Sequence, residues 1–185
     1  TEFLLAMRNY RGNTVSTVRM ALEARAELLR IAEVEGLDFA LEKRGILHVY
    51  RKRQNYQHAL RVNDLLAEGG LDRRAITPDE IRAIEPTVQG ALHGGFFTES
   101  DMTGDIHEFT AQLEQVCEKK GMKAQFNSDI QALKHLKDGG VEVRTAEHGS
   151  ERYDGVVVCS GVSSRKFASQ LGDRLNVYPV KGYSI

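Results

Sequence analysis

Apolar positions recur at helical spacing from Thr14 to about Val34, where Val15, Val18, Leu22, Ala26 and Leu29 share one face and Gly36 closes the run. The pattern then shortens to strand period: Arg44 to Arg51, "RGILHVYR", carries β-branched and aromatic residues in a short strand. A second helix is expected over Tyr56 to about Glu68, with Ala59, Val62 and Leu66 on one side and Gly69-Gly70 at its end. "TPDE", Thr77 to Glu80, is a capping box with proline at the first helical position, opening a short helix that runs to about Ile84 and stops before Pro86. "ALHGGFF", Ala91 to Phe97, reads as another strand and "TESDMTGD" as an exposed loop. Asp105 caps a strong helix over Ile106 to Lys120.

Beyond that helix, strands are expected over Met122 to Phe126 and Ile130 to Leu136, then a Gly139-Gly140 turn and Val141 to Thr145 as a hairpin partner. The run Val156-Val157-Val158 reads as a strand buried on both faces, passing through Cys159 and Ser160 into Gly161 and then a helix over Ser163 to Leu171. A last strand is expected from near Asn176. Helix, strand, hairpin, buried strand, small-residue turn and helix form the second half of a nucleotide-binding α/β layer, while the phosphate-binding Gly-x-Gly-x-x-Gly turn is absent from these 185 residues. The fold class expected is α/β, an α+β mosaic with a mixed or antiparallel second sheet.

Charge excludes some functions. With 25 basic and 26 acidic residues interspersed, no nucleic-acid face is implied. No apolar run approaches the roughly 18 residues of a membrane-crossing helix. Cys117 and Cys159 are read on a helix and a buried strand, without Cys-x-x-Cys or a histidine cluster; a reduced compartment follows and a metal site does not. The chain opens at Thr1 and stops inside an apparent strand, "KGYSI", which reads as an internal piece of a longer protein.

"GDIHEFTAQLEQVCEKKGMKAQFNSDIQAL", followed by "DGVVVCSGVSSRKFASQLGDRLNVYPVKGYSI", resembles the amino-acid oxidase superfamily of flavoproteins. "RGILHVYR", "ITPDEIRAIEPTV" and "GGFFTESDMTGDIHEF" fit in the same order, and "YPVKGYS" and "GGFFTESDMTGD" match its bacterial D-amino acid dehydrogenase branch. The resemblance implies FAD, with Ser160 and Gly161 against the dinucleotide and the backbone of Ile130 near the adenine; a plain strand-turn-helix corner is the bland alternative. It implies a mosaic in which residues of about 1–43 and 104–174 belong to an FAD-binding domain, and 44–103 and 175–185 to a substrate-binding domain. It also implies that the chain alone is inactive and holds FAD weakly or not at all.

The implied reaction is oxidation of a D-amino acid to a 2-oxo acid and ammonia, with electrons passed to a membrane acceptor of the respiratory chain. The place implied is the cytoplasm or the inner face of its membrane. His48 and Tyr50 alternate on one strand face, which suits a substrate cavity as well as an ordinary strand edge. Lys181, between Tyr178 and Tyr183 and beside Gly182, faces either flavin or water. Asp101 and Asp105 read as loop and cap residues, His107 as exposed, Cys159 as a buried small hydrophobe. No side chain stands out as a general base. A related oxidoreductase acting on glycine, sarcosine or a 2-hydroxy acid is the near alternative, and a non-catalytic α/β binding module the distant one.

Overall fold

The structure, a computed structural model, describes residues 7–182. It divides into two compact units, Thr1–Met122 and Lys123–Ile185, and each is described by itself.

The first unit opens with a 3-10 turn, Met7–Asn9, and helix α1, Tyr10–Glu35, which starts one turn earlier than its apolar pattern. Gly36 ends it in the left-handed conformation at φ 66°, turning its N–H back to the carbonyls of Ala32 and Glu33. Val15, Val18, Leu22 and Leu29 are half-buried while Ala26 is exposed. Helix α2, Arg53–Glu68, lies against α1, and its closing glycine is a packing requirement: a Cβ on Gly69 would stand 2.6 Å from Val18.

Strands β1, Ile46–Tyr50, β2, Arg74–Ile76, and β3, Gly94–Thr98, form an antiparallel sheet in the order β1-β3-β2. His48 pairs with Phe96 and Tyr50 with Gly94, so these side chains share one sheet face. The expected strand over Ala91–Phe97 is shifted because Gly94 and Gly95 must enter the ladder. A Cβ on Gly94 would meet the Tyr56 ring at 2.9 Å, and one on Gly95 the His48 carbonyl at 2.6 Å. Helix α3, Pro78–Ile84, carries the expected capping box: Thr77 accepts from the Glu80 N–H and Glu80 reaches back to the Thr77 N–H. Its Ile81 is fully buried against Gly95.

Helix α4, Ile106–Lys119, is capped by Asp105, which accepts from His107 N (2.9 Å) and Glu108 N (3.1 Å). It packs on α1 through Ala32, Phe39 and Phe109, the two rings meeting edge to face at 5.2 Å.

The second unit is an antiparallel meander, β4 (Ile130–His135), β5 (Val141–Thr145) and β6 (Gly149–Tyr153), followed by a 3-10 turn, Gly161–Ser163, and helix α5, Ser164–Gln170. Leu133, Val141 and Phe167 are its buried core. Gln170 ties α5 to the sheet, accepting from Leu133 N and donating to the Gln131 carbonyl.

Three expectations fail here. Met122 to Phe126 forms no strand and Phe126 is 71% exposed. Val156 to Val158 forms no strand, with Val157 88% exposed and Cys159 exposed instead of buried, because no described strand lies alongside to complete a ladder. Residues 173–182 carry no regular structure, so the strand expected from Asn176 is absent among the described residues; Tyr183 lies outside them.

Candidate functional site

In the second unit, the segment expected to meet the dinucleotide is built by two irregularities. The first is a register shift between Ile130 and Ala132, a bulge that lets the ladder restart one residue later. The preceding Asn127 takes a left-handed φ of 56°, a conformation asparagine tolerates, and Asp129 N donates to Glu147. The second is the turn after Val158. Ser160 sits at φ −96°, ψ 22°, and Gly161 at φ 56°, a conformation that glycine adopts without Cβ strain. Ser160 Oγ and Ser164 Oγ lie 3.1 Å apart.

Ile130 and Val158 pack on the same core cluster, so the bulge and the turn are brought onto one small body. A Cβ on Gly161 would meet nothing within 4 Å. The turn thus has open space over the glycine, small hydroxyl side chains, and a backbone run from Gly155 to Ser160 outside any described ladder, features that leave room for the expected dinucleotide. The positive φ also explains Gly161 as a turn residue. Lys181 lies in the exposed irregular segment of this unit, where Arg165 stacks 5.1 Å over the Tyr178 ring.

In the first unit, Tyr50 and His48 share a face but not a setting. Tyr50 is half-buried among rings, edge-on to Phe96 (6.0 Å, 90°) and tilted against Tyr56 (6.0 Å). It borders a cleft of about 460 Å³ with Asn55, His58, Ala59, Val62 and Arg73. His48 is outside that cleft and exposed on its outer side. Its pKa is held below the usual histidine value, first by desolvation against the sheet, then by the Arg73 charge, with Asp101 opposing both.

A second cleft, about 460 Å³, opens between α1 and the loop after β3, lined in part by Arg25, Leu28, Phe39, Ile46, Asp101 and Met102. Across it Arg25 Nη1 donates to Asp101 Oδ1 at 2.7 Å, both side chains half-buried. Asp101, expected as a plain loop residue, thus anchors the loop to the first helix. Sequence reasoning also missed Arg73, which sits in a charged run, Asp72-Arg73-Arg74, that resembles a solvated turn. Among the described residues no group of three or more histidine, cysteine or acidic side chains is placed to hold a metal. No helix among them is long and apolar enough to cross a membrane.

A family model described as FAD dependent oxidoreductase matches residues 4–185. The chain is 48% identical over 187 residues to D-amino acid dehydrogenase 3 of Mesorhizobium japonicum, covering 100% of this chain and 45% of the relative. It is 40% identical over 177 residues to a D-amino acid dehydrogenase of Paramagnetospirillum magneticum, covering 94% and 42%. It thus spans less than half the length of these relatives. Among solved structures, an L-proline dehydrogenase from P. horikoshii superposes with a TM-score of 0.69 at 17% identity, covering 86% of this chain and 40% of that one. A glycine oxidase from Bacillus cereus gives 0.68 at 20%, covering 85% and 42%. These two likenesses establish the fold alone.

Proposed function

The chain belongs to the family of FAD dependent oxidoreductases, and from that premise we propose that it is a section of a D-amino acid dehydrogenase that deaminates D-amino acids oxidatively. The observation that carries the reading is the 48% identity running through the whole chain to a relative of that name. In the reaction the substrate loses its α-hydrogen, an amine proton and two electrons, and the imine takes up water to give a 2-oxo acid and ammonia. FAD, when bound, supplies the two-electron acceptor. Reoxidation by a respiratory-chain acceptor, in the cytoplasm or at the inner face of its membrane, completes the proposal.

The chain's own residues orient and enclose. Residues 1–43 and 104–174 contribute to the FAD-binding domain, and 44–103 and 175–185 to the substrate-binding domain. The packing of α1 on α4 is in keeping with that division, while the contact of α2 with α1 crosses it. The Ile130 bulge and the Ser160-Gly161 turn offer backbone to the dinucleotide. Tyr50 and His48 line the substrate side, the pKa of His48 lowered by desolvation and by the Arg73 charge. Lys181 is the third substrate-cavity candidate.

The test uses the full-length protein, anaerobically, with flavin absorbance as the readout. D-Alanine or another D-amino acid should bleach the flavin, and an artificial electron-accepting dye should restore it with release of one equivalent each of ammonia and 2-oxo acid. Bleaching by glycine, sarcosine or 2-hydroxyglutarate with none by D-amino acids would transfer the protein to a sister activity. Absence of flavin from the folded full-length protein would favour a non-catalytic module.

A further inference from the structure

Several arginines on this chain meet carboxylates: Arg11 meets Glu68, Arg25 meets Asp101, Arg74 meets Glu80 and Arg152 meets Asp138. Among the described residues Arg73 meets none, although it is half-buried. Its guanidinium carbon lies over the fully buried Phe96 ring, 4.4 Å from the centroid, and Nη2 makes a long bond, 3.4 Å, to Tyr50 Oη. Its Nε is buried with no acceptor. A buried N–H without a partner is uncommon and costly, and more so on a charged group. Its charge also reaches His48 and helps lower that histidine's pKa, with Asp101 acting the other way.

Beside this cation lies the cleft of about 460 Å³. One wall is polar, with the Tyr50 hydroxyl, the Asn55 amide and the His58 imidazole; the other is aliphatic, with Ala59 and Val62. A planar fork of N–H donors matches the two oxygens of a carboxylate. The aliphatic wall suits a short hydrocarbon tail and gives nothing to a fully hydrated inorganic anion.

We propose that the cleft between α2 and the β1-β3-β2 sheet binds a small organic acid, its carboxylate on Arg73 and its apolar chain along Ala59 and Val62. This site is built wholly within the first unit. It shares Tyr50 with the substrate side proposed above and uses neither His48 nor the Ile130–Gly161 wall.

The experiment titrates full-length protein carrying ¹³C-labelled histidine with butyrate, butyramide and inorganic phosphate, following the His58 ring signals. Butyrate should shift them saturably at one equivalent. Butyramide, the neutral isostere, and phosphate should each bind at least tenfold more weakly. Arg73→Gln should weaken butyrate at least tenfold, and Arg73→Lys, which keeps charge without the planar fork, should fall between the two. Asn55→Leu changes only an exposed residue at the cleft mouth and should also weaken butyrate, so a folding failure of Arg73→Gln leaves the test intact. Unchanged butyrate affinity in Arg73→Gln or Asn55→Leu, equal binding of butyramide or phosphate, or no His58 response in the folded wild type would each overturn the proposal.

Discussion

Replacing Gly161 separates a glycine needed for its backbone from a glycine needed for its emptiness. Its φ of 56° costs a residue with Cβ roughly 1–2 kcal/mol. The space around it adds no steric cost within the chain, since nothing lies within 4 Å of a Cβ there. For a domain of about 150–250 residues, each 1 kcal/mol lowers Tm by about 2–4 °C, so Gly161→Ala should lower the apo-protein Tm by roughly 2–8 °C. Asparagine tolerates the left-handed region, and Gly161→Asn should stay within about 2 °C of wild type, no more than about 1 kcal/mol. If the dinucleotide lies over this turn, the added side chain in Gly161→Asn fills the open space. Flavin affinity should then fall at least tenfold, about 1.4 kcal/mol, without matching loss of apo stability. Scanning calorimetry of apo protein and fluorescence titration with FAD, both on the full-length chain, give the two quantities. An Asn variant that binds FAD as wild type does would leave Gly161 as a turn residue only and refute the wall.

Ile81 is fully buried, and Ile81→Ala should cost about 2–5 kcal/mol in urea unfolding, with Ile81→Val near 1 kcal/mol; an alanine variant within 1 kcal/mol of wild type would deny that α3 anchors the first sheet. Glu80 has its pKa lowered to about 2 by the Thr77 backbone N–H, Arg74 and the Thr77 hydroxyl. Because the folded value is the depressed one, its stabilising effect is complete above the unfolded value of 4.5 and lost as pH falls through about 2. The Tm gap between wild type and Glu80→Gln should therefore be flat above pH 4.5 and shrink steadily below it; a gap independent of pH would contradict the capping geometry. His48 should titrate below 6.5 by NMR, rising in Arg73→Gln and falling in Asp101→Asn; the opposite order would mean that the two charges do not face it as described.

What could be read in advance follows the range of the interaction. The Thr77 box and the Asp105 cap were legible because a side chain satisfies a backbone N–H two or three residues away. The β4-β5 hairpin was legible because a two-glycine turn sets its own register. β2 has three residues, and all five residues of β6 are exposed, so neither carries a hydrophobic period; both are held by a neighbour's ladder. Val156 to Val158 shows the converse, a strong strand pattern with no strand beside it. At the candidate site, Tyr50 was legible as an aromatic on a strand face, and Gly161 as a glycine at a corner. Arg73 was not, because only the β2-β3 pairing, Arg74 with Phe97 and Ala75 with Phe96, sets the residue before the strand close to the Phe96 ring.

The unpaired valine run has a consequence for how the protein behaves in a crowded solution. From Gly155 to Ser164 there is no charged residue, with Asp154 and Arg165 at the two ends. Open N–H and C=O groups beside β-branched side chains are a template on which another extended chain can add itself. Two flanking charges act as gatekeepers against such addition, but they lie too far apart to guard Val157 at the centre. Anything that occupies this run, a further segment of chain or a second molecule, removes the template, and the two outcomes differ only in which arrives first. Raising the protein concentration should therefore show as insoluble protein before it shows as lost activity.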